Sequence, residues 1–203
     1  NIVNNVPVKK NYRTNIIGNL LTSNATYTVE IKPGFEEEQY YGPEFVKEPA
    51  YDADTKTYTV VDRYELLWVA QQVNTGNKDF AGETVQLAAD IDLNNQPWTP
   101  IGLNADDATK KFYGTFEGVA LTKADTYPVI RNLYVETSPG YTAAGFFGAL
   151  NGTAKNFGIE NATIKHISTG DPTDNGIAVV AGSIYNKGNI EGVTVKNATV
   201  EGN

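Results

Sequence analysis

The chain has 203 residues, no cysteine, a single histidine and a formal net charge of −8. Without cysteine there are no disulfides, no thiolate catalysis and no cysteine-ligated zinc, and the acidic balance argues against nucleic acid and anionic membrane surfaces as partners. The length allows one large domain or two small ones, and no apolar run is long enough for a membrane span or a signal peptide.

The start at Asn1-Ile2-Val3 reads as a mature or trimmed product, and the composition fits a soluble extracellular or periplasmic protein. Residues 1–35 read as β structure. Val6-Pro7-Val8 leads into Ile16-Ile17-Gly18-Asn19-Leu20-Leu21. Tyr27-Thr28-Val29-Glu30-Ile31 alternates as a strand does, and Pro33-Gly34 stops it. Two or three strands cannot bury a core alone, so this segment either leans on the rest of the chain or is the remnant of a sandwich domain. Residues 36–50 contain Glu36-Glu37-Glu38, Pro43 and Pro49 and read as a solvated linker. The organisation expected is therefore an N-terminal β segment and linker over residues 1–50, then one domain over residues 51–203.

Residues 51–61 read as a hairpin turned by Asp52-Ala53-Asp54-Thr55-Lys56. The Asp-x-Asp spacing lacks the closing Glu of a calcium loop, so a plain turn is expected. Residues 62–74 are the one convincing helix. Asp62 is its N-cap, and Glu65 completes a capping-box-like pattern. Leu66, Val69, Ala70 and Val73 share a face, and Gly76 stands where a C-terminal stop belongs. Such a helix suits a lid over the open first coil of a solenoid, with Trp68 packed there rather than binding a ligand. Beyond it Val85, Leu87, Ile91 and Leu93 are inward candidates, and Phe112, Gly114 and Phe116 alternate.

Residues 144–200 hold the same phrase twice. Ala144-Gly145-Phe146-Phe147-Gly148 followed by residues 152–164 is matched by Ala181-Gly182-Ser183-Ile184-Tyr185 followed by residues 188–200. A weaker copy lies at Ile130-Arg131-Asn132-Leu133-Tyr134-Val135. A repeat of this size signals a solenoid. Apolar and polar residues alternate with period two and slip at Asn132, Asn156 and Gly192, then at Asn161 and Asn197. Asn and Gly tolerate positive φ, so a left-handed bend is expected at each slip.

Each repeat is then strand, bend, strand, bend, strand, which is one coil of a right-handed parallel β-helix. The all-β class is thus expected, with one capping helix. The expected inward columns are Ile130/Ala154/Ile190, Leu133/Phe157/Val193 and Val135/Ile159/Val195. The expected outward columns are Arg131/Lys155/Glu191 and Glu136/Glu160/Lys196. Lys155–Glu191 and Glu160–Lys196 are then solvated pairs worth about 0–1 kcal/mol each. Residues 103–110, 119–128 and 166–176 should leave the coils as loops, and such insertions often bind the partner.

Few residues suggest chemistry. Asp90 and Asp92 sit two apart, a spacing that serves acid–base work or a metal, but they read as turn-formers beside strands. Asp106 and Asp107 are the other tight acidic pair, and Asp171 and Asp174 are the charged members of the 166–176 loop. His166 reads as a surface residue at the end of a strand. No catalytic, cofactor-binding or metal-binding residue is assigned, and no cofactor is expected. Asn24, Asn151, Asn161 and Asn197 head sequons, two of which are the repeat's own bend. In a bacterial source none should be glycosylated, which an intact mass checks.

Several phrases together resemble the GLUG-motif repeat proteins. They are Asp90-Ile91-Asp92-Leu93, Trp98-Thr99-Pro100-Ile101-Gly102, Tyr113-Gly114-Thr115-Phe116-Glu117-Gly118, Ile130-Arg131-Asn132-Leu133 and Gly145-Phe146-Phe147-Gly148, preceded by the helix and Phe80-Ala81-Gly82-Glu83-Thr84-Val85-Gln86-Leu87. The resemblance covers about residues 51–203. The later copy, Gly182-Ser183-Ile184-Tyr185, departs at its last glycine. Residues 6–21 are similar to the closing strands of fimbrillin-like sandwich domains of Gram-negative surface proteins. These resemblances imply an adhesin-like protein, extracellular or on the outer-membrane surface and often a lipoprotein, and they supply no catalytic residues.

The expectation is a non-catalytic adhesion or binding module that presents a β-helix face and loops to a glycan or to a host or bacterial surface protein. A polysaccharide-cleaving enzyme rests on fold analogy alone; a hydrolase would need two carboxylates about 5–10 Å apart across a cleft. A structural stalk or pilus-associated subunit is the third reading, since an open last coil could stack end to end on another subunit or on missing sequence.

Overall fold

A computed structural model describes residues 46–103, 107–121, 126–137, 143–166 and 176–202. The chain divides into two units, residues 1–44 and 45–203, and every described residue belongs to the second. The strand expected at residues 27–31, the fimbrillin-like phrase, and Asp106, Asp171 and Asp174 lie outside the described residues. The described chain is mostly β strand with one α-helix, arranged in several sheets that are almost wholly parallel.

The expected hairpin is present. β1 (Ala50–Asp52) and β2 (Thr57–Val60) pair antiparallel, with Tyr51 opposite Tyr58. Asp52 makes the turn by accepting the backbone N–H groups of Asp54 and Thr55 at 2.9 and 3.4 Å, an Asx turn.

The helix α1 (Arg63–Thr75) comes next, with both of its expected stops. Asp62 Oδ1 accepts from the N–H groups of Tyr64 and Glu65 at 2.9 Å each. Glu65 reaches back to the N–H of Val61 at 2.7 Å and is itself buried, with Lys47 Nζ 2.7 Å away. At the other end Gly76 takes φ +74° and donates to the carbonyls of Gln72 and Val73. Leu66, Val69, Ala70 and Val73 are buried on one face, and Leu67 and Trp68 widen the contact.

Beyond α1 the strands are short. They are β3 (Thr84–Leu87), β4 (Ile91–Asp92), β5 (Thr115–Gly118), β6 (Val129–Arg131), β7 (Tyr134–Thr137), β8 (Phe147–Leu150), β9 (Thr153–Lys155), β10 (Gly158–Glu160), β11 (Thr163–His166), β12 (Ala181–Ile184), β13 (Asn189–Glu191), β14 (Thr194–Lys196) and β15 (Thr199–Gly202). Consecutive strands of one repeat enter different sheets. The first sheet runs β1-β2-β3-β5-β9-β13, the second β14-β10-β6-β4, the third β15-β11-β7 and the fourth β12-β8. Each of β9, β10 and β11 pairs in parallel with β13, β14 and β15 respectively, so that Ala154 meets Ile190, Ile159 meets Val195 and Ile164 meets Val200.

Single residues with positive φ separate these strands, as the slips in alternation require. Asn132, Asn156, Asn161 and Asn197 lie at φ +57°, +58°, +56° and +51°, and Gly192 at +60°. The motif glycines serve a different purpose. Gly148 has no unusual φ, but a Cβ there would run into the carbonyl of Gly102, so the two backbones can touch only because no side chain intervenes.

Two alignments within the repeat differ from expectation. Ile130 pairs with Ile159, and Val135 with Ile164, so the weak copy is one strand out of phase. The inward columns are Tyr58/Val85/Phe116/Ala154/Ile190, Ile91/Ile130/Ile159/Val195 and Val135/Ile164/Val200. Arg131 accordingly stands beside Glu160, not Lys155, and Glu136 beside Lys165, not Glu160. In the glycine-rich phrase, Phe147 meets Ala181 and Leu150 meets Ile184, a shift of three from the expected match of Phe147 with Ile184. The first difference has a plain cause: β6, β9 and β10 are each an in–out run followed by a left-handed Asn, so the neighbouring phase fits the weak copy equally well.

The interior is closed by aromatic rings in sequence. Tyr58, Trp68 and Phe80 form one cluster, Phe80 lies 5.7 Å from Phe112, and Phe112 lies 5.4 Å from Phe147. Phe116, Phe146 and Phe157 continue it, and the Trp98 ring stacks on Phe146 at 5.3 Å while its Nε1–H donates to the Phe146 carbonyl at 3.0 Å. Trp68 is thus packing, as expected, and so is Trp98.

Candidate binding face

Short strands with one-residue bends leave every second side chain pointing outward, so the surface is made of columns that cross the strands about 4.8 Å apart. On the first sheet one such column is Thr57, Thr84, Thr115, Thr153 and Asn189. The next is Gln86, Glu117, Lys155 and Glu191. Gln86 Nε2 donates to Glu117 Oε1 at 3.0 Å, and Lys155 Nζ stands 2.8 Å from Glu117 Oε2. Burial alone would push the Glu117 carboxyl up, but the Lys155 ammonium and the Gln86 amide outweigh it and hold it below the ordinary carboxylate range. The same contact raises Lys155. The result is a half-buried row of threonine hydroxyls at Thr84, Thr115 and Thr153, ended by the buried Thr57, beside a fixed row of amide and charge.

The second sheet carries Asp92, Arg131, Glu160 and Lys196 outward. Arg131 is 2.9 Å from Asp90 and 3.5 Å from Glu160, and Lys196 is 3.2 Å from Glu160. The expected Glu160–Lys196 pair is therefore formed. Lys155 and Glu191 stand in adjacent register, with the close ion pair of Lys155 made to Glu117 instead. Beside this row the bend amides form a ladder. Asn132 Nδ2 donates to Asp92 Oδ1 at 2.8 Å, Asn161 Nδ2 to Asn132 Oδ1 at 3.5 Å, and Asn197 Nδ2 to Asn161 Oδ1 at 3.3 Å.

The third sheet presents Glu136, Lys165 and Glu201, with the Tyr134 hydroxyl hydrogen-bonded to Glu136. Near the fourth, Lys111 lies 3.9 Å above the Tyr185 ring.

The described carboxylates singled out from the sequence all have structural partners. Asp90 accepts from the Val129 N–H at 2.9 Å besides its Arg131 contact. Asp92 accepts from the Asn94 N–H at 2.8 Å. Asp107 caps the 3₁₀ turn Ala108–Lys110 through the Thr109 N–H at 2.9 Å, and the Thr109 hydroxyl and N–H hold its carboxyl low. Asp92 performs the expected turn-forming role through the Asn94 N–H, whereas Asp90 instead ties its strand end to Val129 and Arg131 about forty residues on.

His166 is not on the surface as expected. It is buried, and its Nδ1 lies 2.5 Å from Thr137 Oγ1. Alternation along β11 shows why: Ile164 points in, Lys165 out, and His166 in again. Its Nε2 has no hydrogen-bond partner among the described residues.

Two residues carried no warning in the sequence. Asn74, in the last turn of α1, donates to the Pro100 carbonyl at 2.9 Å and accepts from the Gly102 and Leu103 N–H groups at 2.8 and 3.1 Å. Phe80 lies at φ +62° with its ring fully buried. The only signal for it was Gly114 opposite, where a Cβ would collide with the Phe80 carbonyl.

Among the described residues no three His, Asp or Glu side chains group closely enough to hold a metal ion, and no helix is long and apolar enough to cross a membrane. Residues 1–61 match a family of unknown function, DUF6562, which leaves residues 62–203 outside the match. No curated protein matches the chain, and neither does any solved structure.

Proposed function

We propose that residues 51–203 form a right-handed parallel β-helix of the GLUG-repeat kind, and that the protein is a non-catalytic adhesion or binding module. The observation that carries the binding reading is the outward, half-buried face of the first sheet. Thr84, Thr115 and Thr153 form a straight hydroxyl row, and Gln86, Glu117 and Lys155 form a second row locked by its own hydrogen bonds. Rows of fixed donors and acceptors on a rigid sheet suit a repeating polar polymer such as a glycan, because little ordering is needed on binding. The carboxylates Asp90, Asp92 and Asp107 are committed to backbone and ion-pair contacts, which favours binding over acid–base chemistry. The β-helix reading is supported by the parallel register of successive repeats and by the left-handed bends between them. A solved structure whose sheets wind the other way would sink it.

The site of action in this reading is the extracellular or outer-membrane surface of a Gram-negative bacterium, with the chain held there as a lipoprotein and its partner a glycan or another surface protein. Protease accessibility on whole cells tests the location. The function is tested on native gels cast with bacterial, plant and mucin glycans, with and without calcium. Retarded migration that Thr115→Arg abolishes at unchanged melting temperature is the expected result. Clearing of the glycan along the lane would replace the binding reading with an enzymatic one.

A further inference from the structure

The outward columns of the first sheet are chemically selective. One is Thr84, Thr115, Thr153 and Asn189, and the other is Gln86, Glu117, Lys155 and Glu191. Lys155 is the one cation in either column. Its Nζ stands 2.8 Å from Glu117 Oε2, and Glu191 lies opposite it on β13. Glu117 first, and Glu191 after it, hold the ammonium above its ordinary range. The two columns therefore offer no cation that is not already matched by a carboxylate. An anionic group placed here would come to rest beside Glu117 and Glu191, and like charges brought together on binding are strongly unfavourable.

The rest of the face is neutral. Thr84, Thr115 and Thr153 are half-buried, and each hydroxyl can both donate and accept. Gln86 donates to Glu117 through Nε2, which leaves its Oε1 as an acceptor. Neither column contains an aromatic ring, so a sugar has no side-chain face to stack on and is held through its hydroxyls. The rungs lie about 4.8 Å apart, close to the advance of one pyranose unit along an extended chain. The hydroxyl row stops at the buried Thr57.

We infer that this face takes an uncharged glycan lying across the strands, one pyranose to each rung from Thr84 to Asn189, and that Glu117 and Glu191 exclude uronate, sulfated and sialylated chains. The inference rests on the glycan reading of the same face and names the class of glycan.

The test compares chains of one backbone that differ only in charge. The full protein is titrated calorimetrically with cello-oligosaccharides and linear mannan oligosaccharides of two, three and four units. It is titrated in parallel with the same chains carrying a carboxylate in place of the primary alcohol. The neutral member of a pair should bind about tenfold or more tightly than its uronate. Its affinity should rise with each added unit and stay constant as salt rises. Glu191→Lys, at an exposed position, should narrow the ratio and make uronate binding weaken with salt. Glu117→Gln, which releases Lys155 from its ion pair, should narrow the ratio as well. Equal or tighter binding of the parent to the uronates would overturn the inference and leave the glycan reading standing. Affinity independent of chain length would overturn the placement of one ring on each rung. Binding of neither member of either pair would overturn the inference too, and gels on which no glycan retards the protein would remove the reading beneath it.

Discussion

Glu117 shows how much of the surface order rests on single carboxylates. Its carboxyl accepts from Gln86 and faces the Lys155 ammonium, and these contacts hold its proton affinity down despite partial burial. A carboxyl depressed in the folded chain stabilises the fold above its unfolded titration range, and that contribution is lost as pH falls through the folded value. Glu117→Gln should therefore lower the melting temperature at pH 7, and its deficit relative to the parent should shrink as pH falls through the folded titration of the parent carboxyl. Thermal scans of both proteins in steps of falling pH check this; an equal loss at every pH would mean the effect is packing, not charge. At this scale the sequence is readable wherever a residue type has a local reason. Asn132, Asn161 and Asn197 announce their bends because few residues accept φ near +55°. His166 is the counter-example: its residue type points to the surface, while the alternation from Ile164 puts it inside, and the alternation wins.

Among the elements, α1 is legible almost to the residue because its caps are local. The backbone groups that Asp62, Glu65 and Gly76 cap each lie within four residues of them. What fastens α1 to the sheets is not legible. Asn74 reaches 26 to 29 residues ahead to Pro100, Gly102 and Leu103, and nothing near it in sequence foretells those partners. Asn74→Ala removes all three bonds while leaving the helix caps intact. Net hydrogen bonds are worth about 1 kcal/mol each, and an N–H left unpaired costs more. A loss of roughly 2–3 kcal/mol in urea unfolding, with helix content by circular dichroism unchanged at low denaturant, is expected. The difference of phase in the repeat has its own physical origin. Ile130-Arg131-Asn132-Leu133 fits Ala154-Lys155-Asn156-Phe157 as well as it fits Ile159-Glu160-Asn161-Ala162, since each is an in–out pair, a left-handed Asn and an apolar residue. Only the pairing across sheets distinguishes them, and the ladder through Asn132, Asn161 and Asn197 makes that choice.

For the described residues as a whole, each strand is held chiefly by the strands paired with it, so the strands with one described neighbour are the weakest. Hydrogen exchange should be graded: fast in β13, β14 and β15, slower in β9, β10 and β11, which are paired on both sides. Uniform protection measured by mass spectrometry would contradict this. The parallel pairing of β9, β10 and β11 with β13, β14 and β15 is visible in the sequence from the duplicated phrase. The alternation of charge along the columns stays hidden until the phase is known, because a column takes one residue from each repeat.

The asparagine ladder has a further consequence. Its rungs stay in register although 29 residues separate Asn132 from Asn161 and 36 separate Asn161 from Asn197. Position along the stack is thus counted by amide contacts rather than by chain length, much as a ratchet counts teeth whatever the slack in the rope. Every amide also points the same way, back toward Asp92. Outward from Asp92, each bend thus finds its acceptor on the rung before it, and the direction of the stack is written in the orientation of its amides.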